Sequence, residues 1–280
     1  GFLAVFVGQP LAALAWWTWR DARAGRQLPA ALRGFPPAAV IAGHVAVAVA
    51  YTTPWDNYLV ATGVWAYDPA KIARDWVLGY VPLEEYAFFV LQTVAVGLWL
   101  LGWLKRLPAA PGDAPADGDG RRDDAPAARP AARHALAAAV ALAAAGAGAA
   151  LWWGAGPWRY MALVVAWALP PIAFQLAFGG DLLWRPRRAV GRTITSATLY
   201  LAAADTLAIR DGVWTIALGS STGWLLPGGL PIEELVFFAV TNILVGFGVT
   251  LVLATASRER AQRWLRRVRR SQPRRAGADG

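Results

Sequence analysis

The sequence contains no cysteine and only two histidines among its 280 residues. Disulfides, thiolate ligands and thiol nucleophiles are therefore excluded, and a histidine-box di-iron oxygenase cannot be built. Neither a G-x-G-x-x-G nor a Walker A sequence occurs, so a nucleotide-binding fold has no support. Asp123-Asp124 has no second Asp-rich motif of the kind prenyltransferases use to hold magnesium diphosphate. We expect neither a metal ion nor a cofactor.

Charged residues are scarce, at 16% of the chain, and they lie in short stretches between long apolar runs. A helix needs about 20 apolar residues to cross the hydrocarbon core of a bilayer. Such windows predict an all-α, polytopic bundle of about seven transmembrane helices. The predicted spans are 1–19, 37–53, 83–104, 135–153, 158–178, 192–209 and 231–254.

The net charge of +9 is distributed in a way that indicates membrane topology. Clusters of Arg and Lys follow the first, third, fifth and seventh predicted spans, and only Lys71, Arg74, Arg159 and Arg210 lie on the other side. The positive-inside rule then predicts a multi-pass protein of the plasma membrane with its N-terminus outside and its C-terminus in the cytoplasm. The basic tail is expected to contact anionic membrane lipid. No nucleic-acid partner is expected, because the arginines lack interleaved aromatic residues.

The chain is predicted to contain two tandem homologous repeats. Residues 108–133, rich in Pro, Ala, Gly, Asp and Arg, are typical of a disordered cytoplasmic linker. This linker separates a three-span repeat at 1–107 from a four-span repeat at 134–257, and 258–280 form the basic cytoplasmic tail. The repeats align at a constant offset of 149 residues, as from Asp56 to Asp205. The other matches are Gly63-Val64-Trp65 with Gly212-Val213-Trp214, Gly79 with Gly228, and 82–89 with 231–238.

The fourth span decides how the repeats are oriented. If 135–153 crosses the membrane, spans 3 and 7 run in the same direction and both repeated motifs face the outer side. If it does not cross, the repeats are inverted and the motifs lie on opposite faces. The charge pattern favours crossing, and the Ala and Gly content of the segment is compatible with close helix contact in lipid.

The strongest motif is P-[LI]-E-E-x-x-F-F, which opens a membrane helix at 82–89 and again at 231–238. A purely structural role exists, because Pro is favoured at the first helical position and Glu in the first turn complements the helix dipole. The duplication of this pair of carboxylates at the edge of the hydrocarbon core weakens that interpretation. Ionisable groups within the membrane cost free energy and usually have a function.

The second glutamate of each pair is the better candidate for a pocket group. On its helical face, four and seven residues later, lie an aromatic ring and a polar mid-span group. These are Phe89 and Gln92 after Glu85, and Phe238 and Thr241 after Glu234. The corresponding face below Glu84 is apolar, so Glu84 and Glu233 are predicted to be helix-dipole partners or second carboxylates.

This combination is suited to carbocation chemistry on an apolar polyene. A desolvated glutamate beside aromatic rings favours its protonated form and can act as a general acid near neutral pH. Aromatic faces can each stabilise a cation by roughly 2 kcal/mol when water is excluded. Asp56 and Asp205, at the outer ends of spans 2 and 6, are candidates to orient the acid or accept a proton, although helix-end solvation explains them equally well.

With these residues the chain resembles the lycopene cyclase domain family of membrane-embedded carotenoid cyclases. The resemblance covers nearly the whole chain apart from the linker and tail. It rests on the doubled acidic motif with upstream Gly-Val-Trp, on Tyr67-Asp68-Pro69 in the first half, and on Asp205-Thr206-Leu207-Ala208-Ile209 and Thr241-Asn242 in the second. It departs from the pattern where Leu235 replaces Tyr86 and Ile216 replaces Tyr67. These departures leave open whether each half has its own active site or both shape one.

The resemblance implies acid-catalysed, cofactor-free cyclisation of the ends of lycopene to β-ionone rings, giving γ- and β-carotene. Other enzymes of carotenoid synthesis are the protein partners it implies. The candidate catalytic residues are Glu85, Glu234, Glu84, Glu233, Asp56 and Asp205. The candidate substrate-binding residues are Trp65, Trp214, Phe88, Phe89, Phe237, Phe238, Gln92 and Asn242.

Three other interpretations fit parts of the pattern. They are a cyclase for a prenyl-extended carotenoid, a proton-coupled transporter built from paired repeats, and a pigment-binding scaffold. The sequence leaves ring type and ring number open. Two acids on one side cannot serve both ends of an upright polyene of roughly 30 Å, about the thickness of the hydrocarbon core. We therefore expect one ring to close at a time.

Overall fold

The computed structural model describes residues 4–72, 77–108 and 130–271. Most of these residues are helical, which confirms the predicted helical character of the chain. The α-helices are α1 (Gln9–Arg23), α2 (Pro37–Ala61), α3 (Leu83–Leu104), α4 (Pro130–Trp152), α5 (Arg159–Gly179), α6 (Arg187–Arg210), α7 (Ile232–Leu253) and α8 (Thr255–Ser271). Short π or 3-10 segments lie at Ala4–Gly8, Ala30–Leu32, Gly156–Trp158 and Leu218–Ser220.

Five helical segments of the described chain are long and apolar enough to cross a membrane, so the protein is a helical membrane protein. They are Ala30–Ala61, Leu83–Leu104, Ala131–Trp152, Gly156–Gly179 and Ile232–Leu253. The third of them contains the Ala-rich segment whose crossing decides the orientation of the repeats. The helix α1 has only 15 residues, and α6 carries arginines at both ends and several hydroxyl residues. The predicted count of seven spans stays a prediction.

Parts of two predicted segments lie outside the described residues. The proposed linker at 108–133 includes 109–129, which are not described, and α4 begins at Pro130, before the predicted boundary at 134. The predicted tail at 258–280 overlaps α8, and residues 272–280 are likewise outside the described part.

The centre of the bundle is formed by α3 and α7, which lie side by side. The Gln92 Nε2 atom of α3 donates to Thr241 Oγ1 of α7 at 3.3 Å, so the polar mid-span groups predicted on the two glutamate faces meet. The helices α2 and α6 pack against α3 and α7, respectively, and α4 packs along α5. Much of α4 is exposed, including Leu142.

Two small antiparallel sheets, which the sequence did not predict, lie at the ends of these helices. In the first, β1 (Trp65–Tyr67) pairs with β4 (Trp214–Ile216), and Ala66 lies opposite Thr215. In the second, β2 (Val77–Leu78) pairs with β3 (Val81–Pro82), directly before α3.

The Gly-Val-Trp motif is the point where a helix becomes a strand. Gly63 and Gly212 adopt positive φ angles of 69° and 63°, a conformation that glycine takes without steric cost. The following Val64 N–H donates to the Leu59 carbonyl at 2.9 Å, and Val213 N–H donates to Ala208 at 3.0 Å. This pattern closes the C-terminal turns of α2 and α6 and sends each chain into the β1–β4 sheet.

An ionic cluster at Asp181 joins three parts of the chain. Arg133 of α4 contacts Asp181 Oδ1 at 2.5 Å, and Arg260 of α8 contacts Oδ2 at 2.7 Å. Burial raises the pKa of Asp181, but the hydrogen bonds and charges of the two arginines outweigh this effect and lower the pKa to about 2. The cluster therefore stabilises the fold while Asp181 is ionised.

We expect Asp181→Asn to lower the thermal unfolding temperature at neutral pH, because the amide lacks the charge that the two arginines pair with. Since the folded pKa lies below an unfolded value of about 3.9, the wild-type contribution is present above that value and is lost as the pH falls towards 2. The measurement is thermal unfolding in detergent between pH 7 and pH 2. An Asn variant that loses stability between pH 4 and 2 as steeply as the wild type would contradict this assignment.

Candidate active site

A cavity of about 380 Å³ lies where α3 and α7 begin, beside the β1–β4 sheet. It brings together residues from both halves of the chain that the sequence singled out separately. The predicted site residues that line it are Glu84, Glu85, Asp205, Glu234, Trp65, Trp214, Phe88, Phe237 and Phe238. Its other walls include Phe6, Val7, Tyr67 and Leu201, so most of the lining is apolar.

The second glutamate of each pair is held by a tyrosine. The Tyr160 hydroxyl, from α5, donates to Glu234 Oε1 at 2.8 Å, and both side chains are buried. Tyr67 of β1 makes the corresponding side-chain hydrogen bond to Glu85. Each tyrosine fixes one carboxyl group, which lines the cavity, and helps to set its orientation.

Tyr67 is suited to this donor role. Burial raises the pKa of its hydroxyl, and the nearby Glu85 and Asp56 carboxyl groups raise it further. The phenol therefore keeps its proton at neutral pH and can donate a hydrogen bond to Glu85.

The first glutamates of the two pairs differ in position. Glu233 is fully buried but does not line the cavity. Its Oε1 atom accepts from the Thr222 backbone N–H at 2.7 Å, from Thr222 Oγ1 at 2.8 Å and from Ser221 Oγ at 3.2 Å. It therefore anchors the loop that precedes α7. Glu84 lies at the corresponding place in α3 but lines the cavity.

The two predicted aspartates are both buried near the glutamates. Asp205 lines the cavity, interacts electrostatically with Glu234 and Glu85, and is hydrogen-bonded by Trp214. Asp56 is 1% exposed, does not line the cavity and interacts electrostatically with Glu85. Carboxyl groups this close in an apolar site cannot all be ionised, so the cluster must hold protons. Within the described ranges, no group of three His, Cys, Asp or Glu residues is arranged to hold a metal ion.

Aromatic rings surround the Glu234 side of the cavity. The Trp65 ring lies 5.5 Å from Tyr160 and 6.4 Å from Phe237, measured between ring centroids. Phe237 stacks on Trp55 at 5.7 Å, and Trp55 stacks on Trp167 at 4.6 Å. On this side, the aromatic rings of the cavity wall are therefore backed by a second set of aromatic rings.

Three predicted substrate-binding residues do not line this cavity. Phe89 packs edge-on against Tyr86 at 5.9 Å. Gln92 and Asn242 lie deeper between α3 and α7, where Gln92 Nε2 contacts Asn242 Oδ1 at 3.5 Å and Asn242 Nδ2 donates to Thr198 at 3.1 Å. A role of Asn242 in the helix interface fits this position.

Comparison with known proteins relates nearly the whole chain to one group. It is 38% identical to the lycopene beta-cyclase of Halobacterium salinarum over 256 residues, which is 89% of this chain and 93% of that protein. It is 34% and 37% identical to the bifunctional lycopene cyclase/phytoene synthases of Arthroderma gypseum and Phaeosphaeria nodorum. These matches cover 72% and 73% of this chain but 34% of each fungal protein.

The chain belongs to the lycopene cyclase family. The extent of the Halobacterium match shows that this relationship is not confined to the short acidic motifs, and it confirms the resemblance seen in the sequence. The chain matches no family model and no solved structure.

Sequence reasoning missed several residues of this cyclase-family cavity. Tyr160, Trp55 and Trp167 stand in no motif, and Tyr160 reaches Glu234 across 74 positions of the chain. Trp55 directly precedes Asp56, a predicted site residue, and this adjacency was a weak indication that Trp55 lies near the site. Tyr67 was noted only as part of the family pattern, because nothing in the sequence of β1 indicates that it faces Glu85.

Proposed function

We propose that this protein is a lycopene cyclase that converts the open ends of lycopene into β-ionone rings without a cofactor. The observation that carries the proposal is Glu234, a buried carboxyl group that receives a hydrogen bond from Tyr160 and faces a cavity walled by Trp65 and Phe237. The family relationship supports it, because the Halobacterium relative is a lycopene beta-cyclase.

In the proposed reaction, protonated Glu234 transfers its proton to the terminal double bond of the polyene. The internal double bond then attacks the resulting cation, which closes the ring and leaves a tertiary carbocation. The faces of Trp65 and Phe237 stabilise this charge. A neighbouring C–H proton is lost to ionised Glu85, which forms the ring double bond, and no atom is gained or lost overall.

The proton then has to return from Glu85 to Glu234. Asp205 interacts with both glutamates, so it is placed to relay the proton between them. Asp56, which interacts with Glu85 but does not line the cavity, is proposed to control the protonation of that acceptor. The assignment gives the two halves different roles in one site.

The proposal includes two tandem repeats related by a pseudo-twofold axis. The bounds of the helices and strands support these repeats. The helix α7 has the bounds of α3 displaced by 149 residues, and β4 has the bounds of β1 displaced by the same number. A Cβ added at Gly79 would meet Asn57, and one added at Gly228 would meet the equivalent Thr206.

Two contacts indicate where this axis passes. Ala66 pairs with its own counterpart Thr215 in the β1–β4 sheet, and Gln92 contacts its own counterpart Thr241 between α3 and α7. An axis through both contacts runs along the central helices, which is the arrangement expected for repeats of the same orientation in a membrane.

We propose seven spans, with the acid cavity at the outer side of the plasma membrane, the N-terminus outside and the C-terminus in the cytoplasm; the positive-inside charge pattern of the sequence supports this orientation. We further propose that α8 lies on anionic lipid, since Trp264 and Leu265 are exposed beside its arginines. Other enzymes of carotenoid synthesis remain the proposed protein partners.

Expression in lycopene-accumulating cells tests the function. We expect the pigment to change its absorption spectrum and chromatographic mobility, with a single-ringed product appearing before a double-ringed one. The matched control is the Glu85→Gln/Glu234→Gln double variant at equal membrane levels. Unchanged lycopene with normal wild-type accumulation in the membrane would refute the cyclase assignment and favour a transporter or scaffold.

A further inference from the structure

A second cavity of about 480 Å³ lies between α2, α3, α5 and α7. Phe237 lines both this cavity and the acid cavity, so the two spaces adjoin at its ring. We call the second space the arm cavity. It is open to the surroundings of the bundle beside Val47, which is 64% exposed, and beside Gly43.

The arm cavity runs along most of the bundle. On α7 its lining extends from Phe237 to Val252, and on α2 from Ala39 to Thr52, with Phe35 just before α2. From Glu234 to Val252 the helix rises by about 27 Å at about 1.5 Å per residue. That length is close to the length of an extended polyene, which is roughly 30 Å and about equal to the thickness of the hydrocarbon core.

A third cavity, of about 370 Å³, is the pseudo-symmetric counterpart of the arm cavity. Several of its lining residues are the arm-cavity residues displaced by 149 positions. The identical pairs are Ala48 with Ala197, Tyr51 with Tyr200, and Val245 with Val96. Each tyrosine hydroxyl donates to a backbone carbonyl of another helical segment, Tyr51 to Trp167 at 2.8 Å and Tyr200 to Phe6 at 2.7 Å.

One substitution between the halves lies where the linings of these two cavities differ. The third cavity ends at Trp99, which is held by a 2.8 Å hydrogen bond to Ser196 and by packing against Trp17 at 4.9 Å. The position equivalent to Trp99 is Gly248, which has no side chain and lies against His44. The His44 imidazole occupies the space beside Gly248, and the lining of the arm cavity reaches Val252 on α7, four residues beyond this level, whereas no residue of α3 beyond Trp99 lines the counterpart.

The lining of the arm cavity suits a rigid hydrocarbon. Tyr51 stacks on Trp167 at 5.7 Å and forms a flat aromatic surface. Two polar side chains of the lining bond to backbone carbonyl groups: Gln175 Nε2 donates to Leu244 at 3.0 Å, and His44 Nδ1 donates to Val40 at 2.8 Å.

We propose that the arm cavity binds the unreacted arm of the polyene while its end group occupies the acid cavity, and that the depth below Phe237 sets the chain length the enzyme accepts. This inference rests on the proposed cyclase function. The substrate enters sideways from the lipid beside Gly43, and the counterpart cavity, closed at Trp99, does not hold a full-length arm.

Gly43→Phe tests this role, because a Cβ added at Gly43 meets no atom within 4 Å and a phenyl ring can fill the space without displacing backbone. We expect cyclisation of lycopene to fall about tenfold or more. Cyclisation of a shorter acyclic polyene with the same end group should stay within about twofold of wild type, because Gly43 lies near the level of Gly248, far from the acids. The matched control is Gly146→Phe in α4, which is also a helical glycine with open space beside it.

The outcomes separate this inference from the proposed function. A wild-type protein that cyclises neither polyene refutes the function itself. If the wild type is active, the arm cavity is refuted when Gly43→Phe turns over lycopene normally, or when a folded variant loses both substrates equally. Should Gly43→Phe fail to accumulate, Val47→Trp narrows the same cavity from its exposed side and is expected to give the same selectivity.

Discussion

Glu234→Gln is expected to reduce ring formation by about 10²- to 10⁴-fold, the usual contribution of a general acid. The amide keeps the shape of the side chain, and its carbonyl can still accept the Tyr160 hydrogen bond, which measures 2.8 Å at Glu234 Oε1. The glutamine side chain has no carboxyl proton to transfer to an alkene. Glu85→Gln should cause a loss of similar size, because the proposed acceptor for the ring proton is removed.

The measurement is the initial rate of pigment conversion by purified protein in detergent, with membrane level and thermal unfolding as checks on folding. Glu233→Gln is the informative comparison, since Glu233 lies outside the cavity and anchors the Ser221–Thr222 segment. It should lower stability more than it lowers the rate per folded molecule. The exposed Glu259→Gln should change neither quantity. Near-normal rates in both the Glu85 and Glu234 variants would refute the assignment of acid and acceptor.

The motifs contain most of the acidic and aromatic residues that line the cavity, because equivalent positions of the two halves lie at equivalent helix ends. Glu84, Glu85 and Glu234 line one space together with the Trp65 and Trp214 side chains. Single-sequence reasoning treated Glu233 like Glu84, however, and the structure separates them. The difference arises from the loop before α7, where hydroxyl and N–H donors of Ser221 and Thr222 capture Glu233. The sequence does not indicate that this loop folds back.

The parts that sequence reasoning missed depend on contacts between distant segments. The β1 and β4 strands are three residues each, too short for an alternating pattern to be recognised, and they form because two helix ends lie side by side. Tyr160 similarly acquires its role only when α5 packs against α7. The five helices that are long and apolar enough to span were predicted because length and composition are local properties, whereas the further spans predicted at 1–19 and 192–209 stay predictions.

Phe237→Leu is expected to lower the turnover number by roughly 30-fold, equivalent to losing about 2 kcal/mol of cation stabilisation in a site without water. Leucine keeps an apolar side chain at a position that is 5% exposed but removes the π face. The Phe237 ring lies 6.4 Å from Trp65 and 5.7 Å from Trp55, so it is part of the aromatic wall beside Glu234. The proposed reaction passes through a cation that the starting polyene does not carry.

The kinetic signature distinguishes this stabilisation from simple packing. An interaction that exists only once positive charge develops should lower kcat and kcat/KM together, whereas a lost binding contact should raise KM with kcat unchanged. Phe174→Leu, on the outside of α5 at a position 71% exposed, makes the same chemical change away from the three cavities and should leave both parameters unaltered. A rise in KM alone for Phe237→Leu would assign this ring to binding the polyene arm and would remove it from the carbocation step.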